Sequence, residues 1–164
     1  MVKQNASLYR IKQATLKEQD KILEHWVALT TFLPQQHLCP FGAVDIEART
    51  LQLKVALQNT LEAPQATIFI CELDQLIVGS IATVLNTQEG YERPNSSVLF
   101  NLWVDESQRR QGVAGRLLES AYTWLTQHGA TSVQAGWHPD NIAADAFWKK
   151  QGFQNYEVIS ARQL

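Results

Sequence analysis

Apolar and polar positions along the first third of the chain predict one strand followed by a helix. Leu8–Lys12 alternates as a short strand does. Thr15 with Glu18 three residues later forms the capping-box pattern that starts a helix. Apolar residues at helical spacing then run from Ile22 to Leu29. The stretch that follows is predicted to be a loop because it contains the helix-breaking residues Pro34, Pro40 and Gly42.

A second helix and two strands are predicted next. The helical pattern begins near Asp45, and Pro64 closes it. The apolar, β-branched stretches Ala66–Leu73 and Leu76–Leu85 are separated only by Asp74-Gln75, which is typical of a hairpin. We therefore expect two helices to precede the main sheet.

The middle of the chain predicts an exposed connection, a buried strand and an amphipathic helix. Asn86–Ser97 is polar and contains Gly90 and Pro94. Val98–Val104 is almost continuously apolar, as a strand covered on both faces would be. Apolar residues at helical spacing extend from Val113 to His128 and stop at a glycine.

Three more elements complete the pattern. We expect a strand over Thr131–Trp137, a helix over Asn141–Gln151 that stops at Gly152, and a last strand over Phe153–Ile159. The resulting order, β-α-α-β-β-β-α-β-α-β, predicts a mixed α/β fold in a single domain spanning residues 1–164.

Composition excludes several classes of protein. The 164 residues are 45% hydrophobic and carry a net charge of −2, which excludes a disordered chain and gives no reason to bind nucleic acid or a membrane surface. No stretch is apolar enough to span a bilayer, and residues 1–7 lack the apolar core of a signal peptide. Cys39 and Cys71 have no metal-binding spacing, so we expect no metal site and a reducing, cytoplasmic location.

The candidate chemistry lies where the buried strand turns into the next helix. Small residues occur at the start of that helix, where backbone amides lack helical partners and attract an anion. Three arginines lie within eight positions of one another. The segment has neither a P-loop nor a dinucleotide-binding glycine pattern. An alternative left open is that the arginines only project into water. The candidate residues of this strand end, turn and helix start are Leu102, Trp103, Val104, Arg109, Arg110, Gln111, Gly112, Val113, Ala114, Gly115 and Arg116.

Two blocks of this region resemble the GNAT N-acetyltransferase superfamily. The motif [QR]-x-x-G-x-[GA] is met by Arg109, Gly112 and Ala114. A second block, N-x-x-A-x-x-F-[YW]-x-x-x-G-F, is met by Asn141, Ala144, Phe147, Trp148, Gly152 and Phe153. The resemblance covers residues 98–155 and implies a mostly antiparallel mixed sheet flanked by helices, with strands four and five splayed apart.

The resemblance also implies a binding mode for acetyl-CoA as co-substrate. Backbone groups of Leu102 and Val104 would pair with the pantetheine arm, and the Val104 amide would polarise the thioester. Amides from Arg110 to Gly115 would hold the pyrophosphate, assisted by Arg109 or Arg116. Asn141, Ala144 and Trp148 would line the thioester end, although a helix N-cap is an equally good interpretation of Asn141.

The catalytic acid and base are not evident. Positions where family members carry a Tyr or a Glu hold Trp148, Gly136 and Val98 here, and none of these transfers protons. His138 and Asn101 are the substitutes that we consider, the first for proton transfer and the second for orienting a water. The alternative for His138 is an exposed histidine in a turn. The alternative for Asn101 is a side-chain amide whose hydrogen bonds are made within the sheet.

We therefore expect an acetyl-CoA-dependent N-acetyltransferase that acts on a primary amine of a small molecule or peptide by direct transfer in a ternary complex. Because the expected acid and base positions hold residues that cannot transfer protons, we also consider one alternative. It is a non-catalytic module of the same fold that binds or senses acyl-CoA. A homodimer is a further expectation that the sequence leaves open, based on the apolar last strand and the five tryptophans.

Overall fold

A computed structural model describes residues 8–162, so residues 1–7, on which the expectation about a signal peptide rests, lie outside the description. The strands are β1 (Tyr9–Gln13), β2 (Ala66–Leu73), β3 (Leu76–Thr87), β4 (Asn95–Val104) and β5 (Ser132–Ala135). The α-helices are α1 (Gln19–Gln35), α2 (Ile46–Glu62), α3 (Val113–Gln127) and α4 (Ile142–Lys150). Short 3-10 turns cover Leu16–Glu18 and Glu106–Gln108.

The strands form one five-stranded sheet in the order β1-β2-β3-β4-β5. The first three pairings are antiparallel, and β4 pairs with β5 in parallel. The parallel pairing covers only Ser96–Leu99 of β4, although that strand continues to Val104. This arrangement confirms the predicted mixed sheet and the splayed strands.

Helices cover both faces of the sheet. On one face, Trp26 of α1 and Leu57 of α2 pack with Ile68 and Ile70 of β2. On the other face, α3 and α4 pack through a larger cluster that includes Leu117, Leu118 and Trp148. The sheet is therefore the middle layer, and the end of β4 lies between the two cores.

Local chemistry explains several element boundaries. The capping box of Thr15 and Glu18 is present, and the Asp45 side chain accepts a hydrogen bond from the Ala48 N–H at the start of α2. The hairpin between β2 and β3 turns through Asp74 and Gln75, whose φ angles of 50° and 68° are those of a type I′ turn. These predicted features are confirmed.

Three predicted boundaries are wrong. No strand forms over Phe153–Ile159, because a strand needs a neighbour and the described segment is paired with none. Helix α1 continues through Pro34 to Gln35, since a proline in the last turn removes only one helical hydrogen bond. The predicted connection Asn86–Ser97 shrinks to residues 88–94, because Thr87 pairs with Asn95 and extends both strands.

Within residues 8–162, no helix is both long and apolar enough to cross a membrane. The same residues contain no group of three or more His, Cys, Asp or Glu side chains that could hold a metal ion. Cys39 and Cys71 are both free thiols.

Candidate active site

A bulge in β4 opens the gap between β4 and β5. Ser80 pairs with Trp103 and Ala82 pairs with Phe100, so Asn101 and Leu102 together oppose the single residue Ile81. Asn101 adopts a φ of 50°, which is left-handed backbone. The pairing of β4 with β5 ends at Leu99, immediately before this bulge. The bulge therefore marks the point at which the two strands separate.

The end of β4 directs a backbone amide into the gap. The Asp105 N–H donates to the Val78 carbonyl at 2.9 Å, which fixes the edge of β4 that faces β3. Because hydrogen bonding alternates along an antiparallel pair, the N–H of Val104 faces the opposite edge, toward β5. The Val104 carbonyl accepts from Arg109 Nε at 3.0 Å. The Val104 amide is therefore placed to pair with a ligand in the gap.

The start of α3 presents four backbone amides without helical partners. The first helical hydrogen bond of α3 runs from the Arg116 N–H to the Gly112 carbonyl at 3.1 Å. The amides of Gly112, Val113, Ala114 and Gly115 therefore have no acceptor inside the helix. A Cβ added at Gly112 or at Gly115 would meet no atom within 4 Å, so an anion can approach closely. Gly112 has a φ of 80°, which favours glycine at the N-cap.

The charges around this helix start differ from those of the other helices. An acidic residue lies in the first turn of α1, α2 and α4, whereas α3 has none there. Arg116 lies in that turn instead. The first turn of α3 therefore has no carboxylate of its own to neutralise the positive end of the helix dipole, and the site suits an external anion.

The three arginines differ in what they contact. The Arg109 guanidinium lies 5.0 Å from the centre of the Trp103 ring, and the Arg116 guanidinium lies 5.7 Å from that of Tyr9. Arg110 is exposed, has a φ of 62°, and forms no side-chain hydrogen bond or ion pair in the described part of the chain. Arg109 thus holds the turn in place, while Arg110 is available to a ligand.

A glycine of β3 lets α3 come close to the sheet. A Cβ at Gly79 would lie 3.1 Å from the Trp103 carbonyl and 3.1 Å from Val113 Cγ1. Gly79 pairs with Val104, so the helix start is drawn against the strand end that carries the free amide. The sequence analysis did not identify this glycine, because its role depends on an approach between distant segments.

The two proposed catalytic residues lie near the gap in different settings. His138 follows β5, and its Nδ1 accepts the Asp140 N–H at 3.2 Å, so the neutral ring carries its proton on Nε2. The Asp140 carboxylate lies 3.9 Å from Nδ1, where it can balance the charge of a protonated ring. Asn101 is half-buried in the β4 bulge, and its side chain forms no hydrogen bond within residues 8–162.

The residues of the second sequence block have mainly structural contacts. Asn141 caps α4, since its Oδ1 accepts the Ala144 N–H at 3.2 Å. Trp148 is 6% exposed and packs against Trp137 and Phe153, with ring centres 6.1 Å and 5.0 Å away. This aromatic cluster stands beside the end of β5 and stiffens that side of the gap.

The sequence analysis missed a buried polar group that joins α1 to the strand ends. His25 is 1% exposed, and its Nδ1 lies 2.9 Å from Ser80 Oγ. Its Nε2 lies 3.4 Å from Asp105 Oδ1, which also accepts the Trp103 indole N–H at 3.2 Å. Burial lowers the pKa of His25 from 6.5 to about 4, and the Asp105 carboxylate opposes this shift.

A wide groove of about 670 Å³ lies along α2 and is lined by Asp45, Glu47, Leu51 and Lys54 among others. It shares no lining residue with the β4–β5 gap. We assign the chemistry to the gap, because the Val104 amide lies there beside a helix start without acidic residues, whereas Asp45 and Glu47 lie at the start of α2 in the groove.

A family model described as the acetyltransferase (GNAT) family matches residues 24–153. An uncharacterized N-acetyltransferase of Methanocaldococcus jannaschii is 26% identical over 91 residues, which cover 56% of this chain and 40% of that protein. The match therefore spans less than half of the relative's length.

Solved structures share the fold. A GCN5-related N-acetyltransferase from Ralstonia eutropha superposes with a TM-score of 0.78 at 12% identity, covering 94% of this chain and 98% of that chain. The aminoglycoside N-acetyltransferase AAC(6′)-Iy in complex with CoA gives a TM-score of 0.70 at 22% identity and covers 94% of both chains.

Proposed function

The chain belongs to the GNAT acetyltransferase family, and we propose that it transfers an acetyl group from acetyl-CoA to a primary amine of a small molecule or peptide. The transfer is direct and occurs in a ternary complex. The observation that carries this proposal is the position of the α3 amides next to the end of β4, which does not pair with β5. The two features together suit a ligand with a diphosphate and an extended, amide-containing arm.

The residues of the gap bind and orient the co-substrate. The amides from Arg110 to Gly115 hold the pyrophosphate, and the exposed Arg110 adds a positive charge. The Val104 amide, and backbone groups of Leu102 at the bulge, pair with the arm as a neighbouring strand would. Val113 is buried and Trp103 packs against Phe32, so these two contribute backbone rather than side chain.

Acetyl-CoA supplies the acetyl group as a thioester. The amine nitrogen forms a bond to the carbonyl carbon, the carbon–sulfur bond breaks, and the amine loses a proton. The Val104 amide donates to the carbonyl oxygen and stabilises the negative charge that develops there. A water held by Asn101 carries the amine proton to solvent. His138 donates a proton from Nε2 to the departing sulfur, and in that protonated ring Nδ1–H donates to the Asp140 carboxylate in place of accepting the Asp140 N–H.

The acceptor enters from the side of the sheet that carries α1 and α2. One structural neighbour is an aminoglycoside acetyltransferase, which supports a small amine as the acceptor class. Glu89 and Glu92 are exposed in the β3–β4 connection and give that connection a modest negative charge. The free thiols of Cys39 and Cys71 fit a reducing, cytoplasmic location.

One observation favours the alternative of a module that binds acyl-CoA without catalysis. Trp148 stands where many family members carry the tyrosine that protonates the sulfur, and here it belongs to a buried aromatic cluster. Such a module would bind acetyl-CoA but would release no thiol when amines are added.

Two measurements on the purified protein test the proposal. Calorimetry with acetyl-CoA should give a dissociation constant in the range from about 1 μM to 1 mM, where enzymes commonly bind their substrates. A thiol-release assay against a panel of polyamines, aminoglycosides, amino acids and peptides should then show acceptor-dependent turnover. Binding without turnover on any amine would favour the module, and no binding of acetyl-CoA or CoA would refute both functions.

A further inference from the structure

The Asp105 carboxylate lies directly after β4 and contacts side chains of β4 and α1. Its Oδ1 accepts the Trp103 indole N–H at 3.2 Å and lies 3.4 Å from Nε2 of the buried His25. The Asp105 N–H donates to the Val78 carbonyl at 2.9 Å, so this residue is fixed through both its backbone and its side chain. No step of the proposed acetyl transfer uses this carboxylate.

The Trp103 ring is the surface on which an arginine of the following turn rests. The Arg109 guanidinium lies 5.0 Å from the centre of this ring. The Phe32 ring packs against it in a T-shaped arrangement, with ring centres 6.4 Å apart. Because its N–H is bonded and two neighbours pack against it, the indole is held in one orientation. Asp105 therefore sets the position of the Trp103 ring, and the ring sets the position of the guanidinium.

The guanidinium in turn holds the backbone of Val104. Because the Asp105 N–H bonds to β3, the preceding residue Val104 turns both its N–H and its carbonyl toward the gap. The β4–β5 pairing ends at Leu99, and the Val104 carbonyl accepts from Arg109 Nε at 3.0 Å. Arg109 thus substitutes for a neighbouring strand at the carbonyl, and this contact fixes the direction of the N–H on the same residue.

We propose that Asp105 is a positioning residue for the acetyl transfer and acts through Trp103 and Arg109 on the direction of the Val104 amide. The inference rests on the proposed function, in which that amide donates to the thioester carbonyl. A hydrogen bond weakens steeply when its angle departs from linear, so a fixed amide stabilises the developing negative charge better than a mobile one. Asp105 need not touch a reacting atom to act in this way.

Acetyl-CoA labelled with ¹³C at the carbonyl reports the Val104 hydrogen bond without any turnover. In the unmodified protein, the resonance of the bound carbonyl should lie downfield of that in free acetyl-CoA, because a hydrogen bond polarises the carbonyl. Asp105→Ala should return this resonance at least about halfway to the free value. Asp105→Asn keeps an oxygen that accepts the indole N–H and should retain the full shift. The dissociation constant of CoA should stay within about threefold in both variants, because the amides from Gly112 to Gly115 are unchanged.

Kinetic measurements test the path through Trp103. Trp103→Phe keeps a ring but removes its N–H, so this variant and Asp105→Ala should each lower kcat about tenfold. The double variant should lower kcat no further than either single variant, because both changes break the same contact. Glu106→Ala removes the neighbouring exposed carboxylate and should keep kcat. Thr83→Val removes the hydrogen bond from Thr83 Oγ1 to the Val98 carbonyl, in the part of β4 that pairs with β5, and should lower stability without changing kcat.

The possible outcomes separate this inference from the proposed function. An unmodified protein that binds no acetyl-CoA, or that turns over no amine, would refute the proposed function and the positioning role with it. An active unmodified protein whose Asp105→Ala variant keeps both kcat and the carbonyl resonance would overturn the positioning role alone. Additive losses of kcat from Asp105→Ala and Trp103→Phe would overturn it as well. If Asp105→Ala does not fold, Trp103→Phe decides by the same two readouts, because it leaves Asp105 and His25 in place.

Discussion

His25 Nε2 lies 3.4 Å from Asp105 Oδ1, and this contact joins α1 to the residue that follows β4. The imidazole is buried, and burial lowers its pKa to about 4. Between pH 6.5 and pH 4 the unfolded chain therefore binds a proton at His25 that the native protein does not. Native stability must fall as the pH falls through this window, by up to about 1.4 kcal/mol per pH unit.

The first prediction concerns this pH dependence. His25→Gln should lower the free energy of unfolding at pH 7 by about 1–3 kcal/mol, because Ser80 Oγ loses its 2.9 Å hydrogen bond to the buried His25 Nδ1. The same variant should lose less stability than the unmodified protein between pH 7 and pH 5. Urea unfolding at the two pH values measures both effects. His128→Gln, at the exposed end of α3, is the control and should keep the original slope, and an unchanged slope in His25→Gln would contradict the assignment.

Much of the fold could be predicted because its signals are local. The capping box at Thr15, the Asp74-Gln75 turn and the helical spacing from Val113 each depend on a few adjacent residues. The last strand could not be predicted correctly in this way. Phe153–Ile159 has the residue types of a strand, but a strand also needs a partner, and the sequence does not reveal whether one is present.

In the candidate site, too, residues with a local sequence signal could be predicted and residues that depend on tertiary contacts could not. The amides from Gly112 to Gly115 could be located from the small residues at a helix start, which is a local signal. His25, Gly79 and Asp105 could not, because their roles arise from contacts between α1, β3 and the end of β4. The functional roles of Arg109 and Trp148 also depend on tertiary contacts that spacing does not show.

The second prediction tests the anion site at the start of α3. Gly115→Glu should weaken acetyl-CoA binding at least about tenfold, because a carboxylate in the open space at this helix start repels the pyrophosphate. Thr123→Glu, an exposed position two turns further along α3, adds the same charge and should bind acetyl-CoA normally. Calorimetry on both variants decides the question. Equal weakening by both would mean that the effect is not specific to the helix start.

The third prediction concerns the bulge at Asn101. Its φ of 50° is strained for a branched residue, so Asn101→Val should destabilise the protein by about 1–2 kcal/mol. Asn101→Gly accepts this backbone and should fold with a melting temperature near that of the unmodified protein. If the amide orients a water, Asn101→Gly should still lower kcat about tenfold. A glycine variant with full activity would leave Asn101 as a structural residue only.

The last prediction separates binding from proton transfer at His138. Because Nδ1 is engaged by the Asp140 amide, Nε2 is the ring atom that can donate to the departing sulfur. His138→Gln should therefore lower kcat about 100-fold and leave the calorimetric affinity for acetyl-CoA unchanged. His128→Gln removes an exposed imidazole elsewhere and serves as the control. If kcat of His138→Gln stayed within about threefold of the unmodified value, water would be the proton donor, and His138 would act only in the turn before α4.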